Sequence, residues 1–361
     1  MGMKLSFWPN KKVLITGHTG FKGSWLSLWL LKLGAEPIGF ALDPPTQPSF
    51  FEDADIASEM ISIKGDVRDL RQLEDTIKTY RPEIVIHMAA QSLVRYSYEN
   101  PLETYSTNII GTGVVLEAVR KTDFIKAVLI ITSDKCYNNN EWIWGYRESD
   151  PMGGYDPYSS SKGCAELITS AYRNSYFSTD KFTEHGVVVA SARAGNVIGG
   201  GDWADDRLIP DIMKSILKNN GVKIRNPEAI RPWQHVLEPL FGYLTLSQKM
   251  YENGVEYSGG WNFGPEYSDC KSVSWIATEI GRYWGERFKW SIDKKNIHPH
   301  EANFLMLDCS KAKRLLGWHP HLDLKTTLEW VNEWYMGYSR SIESAHEIAD
   351  YQISRYTEML K

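Results

Sequence analysis

Two short strings hold the side chains best suited to moving protons: Thr132-Ser133-Asp134-Lys135 and Tyr158-Ser159-Ser160-Ser161-Lys162. In the second, the phenol and the amine are spaced so that a helix presents both on one face. A free phenol, with a pKa of about 10, is a poor base at neutral pH. A nearby ammonium and a bound cationic ring would lower that value and let the phenolate take a proton from an alcohol. This is the chemistry of a nucleotide-dependent alcohol oxidation. The first string adds a carboxyl and a second amine just beyond the apolar run Val128 to Ile131. Oxidation alone does not require them. Beside an oxidising pair they suit an enzyme that oxidises a sugar and then does acid-base work on the product. The Tyr-x-x-x-Lys spacing recurs at Tyr267-Ser268-Asp269-Cys270-Lys271, after Gly264-Pro265 and with no sheet strand before it, and is read there as coincidence.

These groups need a scaffold, and the first half of the chain predicts one. Short apolar runs at Val13–Ile15, Pro37–Ala41, Met60–Ile63, Ile84–Ile86 and Val128–Ile131 read as strands. Helix-length stretches such as Asp69–Tyr80 and Pro101–Lys121 lie between most of them, and Val187–Ala192 adds a further strand. Near-continuous apolar strands alternating with helices predict a parallel sheet covered on both faces. From Arg193 the periodicity loosens around Gly199-Gly200-Gly201 and several prolines. His235–Met250 reads as another covering helix. The expected fold class is therefore α/β, a Rossmann-like doubly wound parallel sheet with a smaller, loop-rich α/β substrate-binding domain. Residues 1–192 would form the dinucleotide-binding domain, with 234–262 returning to it, and 193–233 and 263–361 the substrate-binding domain.

Gly17-His18-Thr19-Gly20-Phe21-Lys22-Gly23 follows the first strand and opens a helix. Glycines allow a tight turn and a close approach to a pyrophosphate, and the helix N-terminus then faces the phosphate charge. The spacing is GxxGxxG, so strand-turn-helix context strengthens the reading more than the motif does. Asp43 falls at the end of the second strand, where a carboxylate accepts hydrogen bonds from a ribose 2′-hydroxyl. An acid there disfavours a 2′-phosphate, which points to NAD. Asp66, after the third strand, reads equally as an adenine neighbour or a turn cap.

Other classes of function are disfavoured. The chain of 361 residues has a formal net charge of -5 and no long run of Lys or Arg, which argues against a nucleic-acid or membrane-surface partner. Cys136, Cys164, Cys270 and Cys309 form no CxxC pair, so neither a disulfide framework nor a zinc site is expected. His298-Pro299-His300-Glu301 supplies no complete metal-ligand set, and no metal is expected. The N-terminal residues lack an apolar signal core, and Trp25–Leu33 is too short and interrupted to span a bilayer. A cytoplasmic location is the expectation.

Several longer strings resemble the extended short-chain dehydrogenase/reductase family along nearly the whole chain. They are the glycine motif, Met88-Ala89-Ala90-Gln91-Ser92, Thr107-Asn108, Thr132-Ser133-Asp134 and the Tyr158/Lys162 pair. Leu42-Asp43-Pro44-Pro45-Thr46, Ala192 to Trp203 and Ile230 to Leu237 extend the resemblance to the nucleotide-sugar 4,6-dehydratases within that family. The resemblance implies a nucleotide-diphosphate sugar as substrate, CDP-glucose in particular, with NAD held by Gly17, Thr19, Gly20, Phe21, Gly23, Asp43, Asp66, Val67, Ala89, Ala90, Gln91 and Thr107 together with Tyr158 and Lys162. It implies oxidation at the sugar C4 by Tyr158 and Lys162, with Thr132 and Ser133 orienting the hydroxyl, and Asp134 as the acid that releases the C6 hydroxyl. Lys135 stands where related dehydratases carry a glutamate base. Either it is neutral and removes the C5 proton, or it stays charged and stabilises the enolate. Arg193, Asn196, Arg207, Arg231 and His300 are the expected substrate contacts, and a homo-oligomer, dimer or tetramer, is the expected assembly. An epimerase of the same family has no need of an acid-base pair at 134 and 135, and a non-catalytic NAD-binding regulator has no need of Tyr158 and Lys162.

Overall fold

A computed structural model describes residues 3–293, 302–341 and 343–361. Six strands form in the first half: β1 (Lys12–Thr16), β2 (Glu36–Ala41), β3 (Ile61–Lys64), β4 (Ile84–His87), β5 (Ala127–Ile131) and β6 (Val188–Arg193). Four short strands follow, β7 (Val197–Ile198), β8 (Val222–Ile224), β9 (Ile230–Pro232) and β10 (Gln234–His235). Next come β11 (Gly259–Asn262), β12 (Cys270–Ser272) and β13 (Trp290–Ile292). The main sheet has the order β3-β2-β1-β4-β5-β6-β11, and every neighbouring pair in it is parallel. The chain reverses its direction of travel across the sheet between β1 and β4. The crevice beyond the carboxyl ends of the strands at such a switch point is where open α/β sheets bind ligands.

Burial follows the period of the strands. Along β5, Ala127, Leu129 and Ile131 enter one hydrophobic core, and Val128 and Ile130 enter the other. With both faces covered, the strands read as unbroken apolar runs rather than as alternation. Helices Leu70–Tyr80 and Gly111–Arg120 supply residues to the smaller core; Phe21–Lys32 and Leu237–Asn253 supply the larger. The stretch expected as one helix over 101–121 is helical throughout but passes through a π-type segment at Ser106–Ile110.

Helix Leu237–Asn253 lies against β5 and β6 and leads to β11, which pairs with β6 at the sheet edge. The C-terminal helices also reach the first core, although the sequence groups them with the loop-rich region. Helix Ala345–Met359 packs on Phe21–Lys32 through Ile348, Ala349, Ile353 and Tyr356, an apolar stripe at helical spacing. The short pairs β8–β13, β9–β12 and β7–β10 lie beyond the sheet. Among the described residues, no helix is long and apolar enough to cross a membrane.

Candidate active site

The glycine turn is built for close approach. Gly17 has φ +78, and a Cβ there would lie 2.6 Å from the backbone nitrogen of Ala89 at the end of β4. A Cβ on Gly23 would sit 2.1 Å from the Gly17 carbonyl oxygen, so this glycine lets the helix pack onto its own turn. Gly20 caps helix Phe21–Lys32 without a side-chain hydrogen bond, which leaves the initial N–H groups to face an anion. The Thr19 hydroxyl donates to the Leu42 carbonyl and ties the turn to the end of β2, next to Asp43. The arrangement fits a dinucleotide pyrophosphate at the helix and a ribose at Asp43. The Asp43 carboxylate is paired with Lys64, so its charge is countered although its oxygens stay exposed. Asp66 accepts from the backbone and guanidinium of Arg68, a turn role that holds its carboxyl below the usual range. Val67 beside it is buried in the smaller core. Gln91 folds back on its own loop: its amide donates to the Leu93 carbonyl and the Thr104 hydroxyl, and its backbone nitrogen donates to Asn108. Ala90 precedes it in the same loop, and Thr107 lies in the π-type segment one residue before Asn108.

Beyond the sheet lies a cavity of about 480 Å³ that gathers the ends of several elements. Thr132 to Lys135 enter it from a 3-10 turn directly after β5, and Tyr158 enters from the first turn of helix Pro157–Ser175. Asp156 caps that helix by accepting from the Ser159 backbone nitrogen. Phe21 and Lys22 come from the glycine-turn helix, Asn196 and Arg207 from the loops beyond β6, and Arg231 from β9. Positions more than two hundred residues apart, such as Phe21 and Arg231, are thus brought to one concavity.

Ser133 is the hub. Its hydroxyl donates to Asp134 Oδ1 at 2.9 Å and accepts from the Lys135 backbone nitrogen at 3.3 Å, and it acts on the neighbouring Tyr158 phenol. Asp134 is buried, and its second oxygen, Oδ2, has no hydrogen-bond partner among the described residues. The space for that carboxylate exists because residue 195 is glycine: a Cβ there would lie 1.8 Å from Oδ2. Burial pushes the Tyr158 phenol up to about 12; the Ser133 bond and Arg207 oppose the rise, and Asp134 adds to it. Lys162 is not among those influences. Its ammonium donates instead to the Ile131 carbonyl at 3.2 Å, and burial lowers it to about 8. The expectation that Lys162 depresses the phenol is therefore not met in the protein alone, where desolvation outweighs the nearby cations.

Two expected contacts point elsewhere. Arg193 does not line the cavity. Its guanidinium is buried on both oxygens of Glu166 at 2.9 and 2.8 Å and also donates to the Tyr137 hydroxyl and the Glu148 carbonyl. A residue at the end of a sheet strand is buried by the covering helix, and here that helix supplies the counter-charge. Thr132 reaches the cavity wall, but its hydroxyl proton goes to Glu166 at 2.5 Å, away from the site, whereas that of Ser133 goes to Asp134 inside it. His300 lies outside the described residues, as do His298 and Glu301. The second Tyr-x-x-x-Lys string shares no helical face: Tyr267 is exposed in a 3-10 turn, and Lys271 sits in β12.

The structure adds groups that the sequence reading did not single out. Lys22 lines the cavity with its ammonium 5.9 Å from the Tyr243 ring; burial, then Lys162 and Arg207, lower it to about 7 against an opposing pull from Asp134. Glu166 receives Thr132, Ser191 and Arg193 behind β5 and β6. Its spacing from Tyr158 and Lys162 along one helix face was the available signal. For Lys22 and Gly195 no spacing rule exists, since each matters only through a neighbour distant in sequence.

Residues 14–331 match the family model described as GDP-mannose 4,6 dehydratase. The chain is 57% identical over 350 residues to a CDP-glucose 4,6-dehydratase of Salmonella typhimurium, covering 96% of this chain and 97% of that protein. It is 24% identical to a dTDP-glucose 4,6-dehydratase of Haemophilus influenzae, over 91% of this chain and 99% of that one. Among solved structures, a dTDP-glucose 4,6-dehydratase of Bacillus anthracis in complex with NAD superposes with a TM-score of 0.73 at 21% identity, over 91% of this chain and 98% of that one.

Proposed function

We propose, for a chain that belongs to the GDP-mannose 4,6 dehydratase family, that it is an NAD-dependent lyase converting CDP-glucose to CDP-4-keto-6-deoxyglucose and water. The observation that carries this reading is the buried Asp134 carboxylate, with one oxygen held by Ser133 and the other unpartnered among the described residues, in the same cavity as Tyr158 and Lys135. Oxidation alone leaves such a group without a task. Elimination of a hydroxyl gives it one.

Bound NAD supplies the hydride acceptor at the sugar C4 and the hydride donor at C6, so the overall reaction is redox-neutral. The Tyr158 phenolate accepts the proton of the C4 hydroxyl, and Ser133, beside the phenol, orients the substrate oxygen. Asp134 donates a proton to the departing C6 hydroxyl through Oδ2. Lys135, on the same turn, faces the C5 proton as base or the enolate as cation. Arg207 and Arg231 bring cationic forks to the diphosphate, and Asn196 borders it. Arg207 is fixed by Asp202 at 3.1 Å and Ser92 at 2.8 Å, so its position is set before any ligand arrives.

A second copy of the chain is the proposed assembly partner. Leu102, Ile110 and Leu167 are exposed on helical segments that pack on one another, leaving an apolar face that a dimer would cover. Sedimentation of the purified protein reads the assembly directly.

The decisive experiment is incubation with CDP-glucose, dTDP-glucose and GDP-mannose in heavy water. A keto product carrying deuterium at C5, formed from CDP-glucose without net NADH, is the expected result. Stoichiometric accumulation of NADH would overturn the dehydratase reading, and turnover confined to another nucleotide sugar would overturn the substrate.

A further inference from the structure

The cavity is longer than a hexose needs. The hexose end is marked by Ser133, Asp134 and Tyr158, and Arg207 and Arg231 follow where a diphosphate would lie. The same cavity continues to a wall made by β8 and by the first turn of helix Leu208–Leu217. On the reading above, that end receives the nucleobase. Three aspartates in this neighbourhood are matched by cations. Asp206 is gripped by Arg95 at 2.9 Å and Arg225 at 2.8 Å, and Asp205 is bonded to Lys214 at 2.5 Å. Asp202 holds Arg207. Asp211, in the first turn of the helix, differs. It lines the cavity and is half-buried, yet no hydrogen bond to its carboxylate occurs among the described residues.

We infer that Asp211 is the specificity-determining residue for the base, accepting a hydrogen bond from the amino group at C4 of a cytosine ring. A desolvated carboxylate without a donor is costly, and a ligand N–H removes that cost. Cytosine offers an N–H donor at C4, where uracil and thymine present a carbonyl oxygen that a carboxylate repels. Discrimination of this kind is strong because the wrong base sets an oxygen against a partly desolvated carboxylate rather than merely filling less space. Burial raises the Asp211 carboxyl to about 6, which is the signature of a group that lacks a donor of its own. Lys214, the cation that acts on it most, is already engaged by Asp205 and does not close the gap.

The inference rests on the nucleotide-sugar reading, and the test separates the two. Wild-type protein and Asp211→Asn are compared with CDP-glucose and UDP-glucose as substrates, with thermal unfolding as the check on folding. The expected result is a loss of about 10- to 100-fold in kcat/KM for CDP-glucose with kcat little changed, and a smaller loss or a gain for UDP-glucose, whose carbonyl the new amide can meet. An equal effect on both substrates, or none, would overturn the role of Asp211 while leaving the dehydratase intact. Failure of the wild type to turn over CDP-glucose at all would sink the parent reading instead. Should the variant not fold, the ligand supplies the perturbation. Wild-type protein is expected to bind CMP at least tenfold tighter than UMP or the 2-pyrimidinone nucleotide that lacks the amino group. Equal binding of CMP and the 2-pyrimidinone nucleotide refutes the inference.

Discussion

Replacing Gly195 with alanine tests whether the elimination step depends on where the Asp134 carboxylate sits. A Cβ at position 195 would lie 1.8 Å from Oδ2, 2.1 Å from Cγ and 2.6 Å from Oδ1, so the whole carboxylate must give way. Restoring ordinary contact requires a shift of roughly 1.5 Å, and a 1 Å misplacement of a reacting group can cost on the order of 100-fold in rate. The side chain cannot turn aside freely, since Oδ1 is bonded to Ser133 and Ser133 is held by the Lys135 backbone nitrogen. The stability penalty belongs to overpacking, about 1–3 kcal/mol, which a protein of this size survives. Gly195→Ala is therefore expected to fold, to unfold a few degrees earlier, and to lose roughly two orders of magnitude in kcat for CDP-glucose. Rapid-mixing absorbance should show the reduced cofactor building up, because C4 oxidation continues while C6 release slows. A double-mutant cycle sharpens the point. In an Asp134→Ala background the clash is gone, so the added methyl group should cost little stability, and a large coupling energy is expected between the two positions. Full activity in a folded Gly195→Ala protein, or stability losses that simply add, would refute the reasoning.

Three further outcomes follow from other parts of the structure. Lys135→Met should retain C4 oxidation and lose solvent exchange at C5, read by deuterium incorporation; persistent exchange assigns the proton removal to another group. Glu166→Gln leaves the Arg193 guanidinium buried against a neutral amide, and loss of one partner from a buried pair costs about 3–5 kcal/mol, measurable by urea unfolding. Glu238, buried and accepting from the His321 and Leu322 backbone nitrogens and the Tyr356 hydroxyl, is raised by burial to about 7. A carboxyl raised in the folded state favours folding while protonated, below its ordinary value, and that contribution is lost as pH climbs through about 7. Glu238→Gln mimics the protonated form, so it should match the wild type near pH 4 and exceed its stability near pH 8 by ~3 kcal/mol. An identical pH dependence in the two proteins would show that Glu238 does not titrate in this range.

Local patterns determined much of this protein. Apolar runs spaced by helix-length segments are enough to specify a parallel sheet, because strands buried on both faces need no alternation, and β1, β2, β4, β5 and β6 form close to where those runs lie. The glycine turn and the Tyr158/Lys162 pair were legible for a similar reason: each is a local motif whose meaning depends on neighbours a few residues away. What lies across the fold was not legible. Arg193 and Arg207 look equally available in a string of letters, yet the first is consumed by Glu166 under a helix and the second faces the cavity. Thr132 and Ser133 are adjacent hydroxyls, and only the packing of helix Pro157–Ser175 over β5 decides that one is tied to Glu166 while the other meets Tyr158. The need for glycine at 195, the burial that moves Tyr158 and Lys22 away from their ordinary values, and the unmatched carboxyl of Asp211 all arise from atoms far apart in the chain. Sequence spacing fixes which groups share a strand end or a helix face; desolvation, charge pairing and steric room are properties of the assembled volume, and only the tertiary structure sets them.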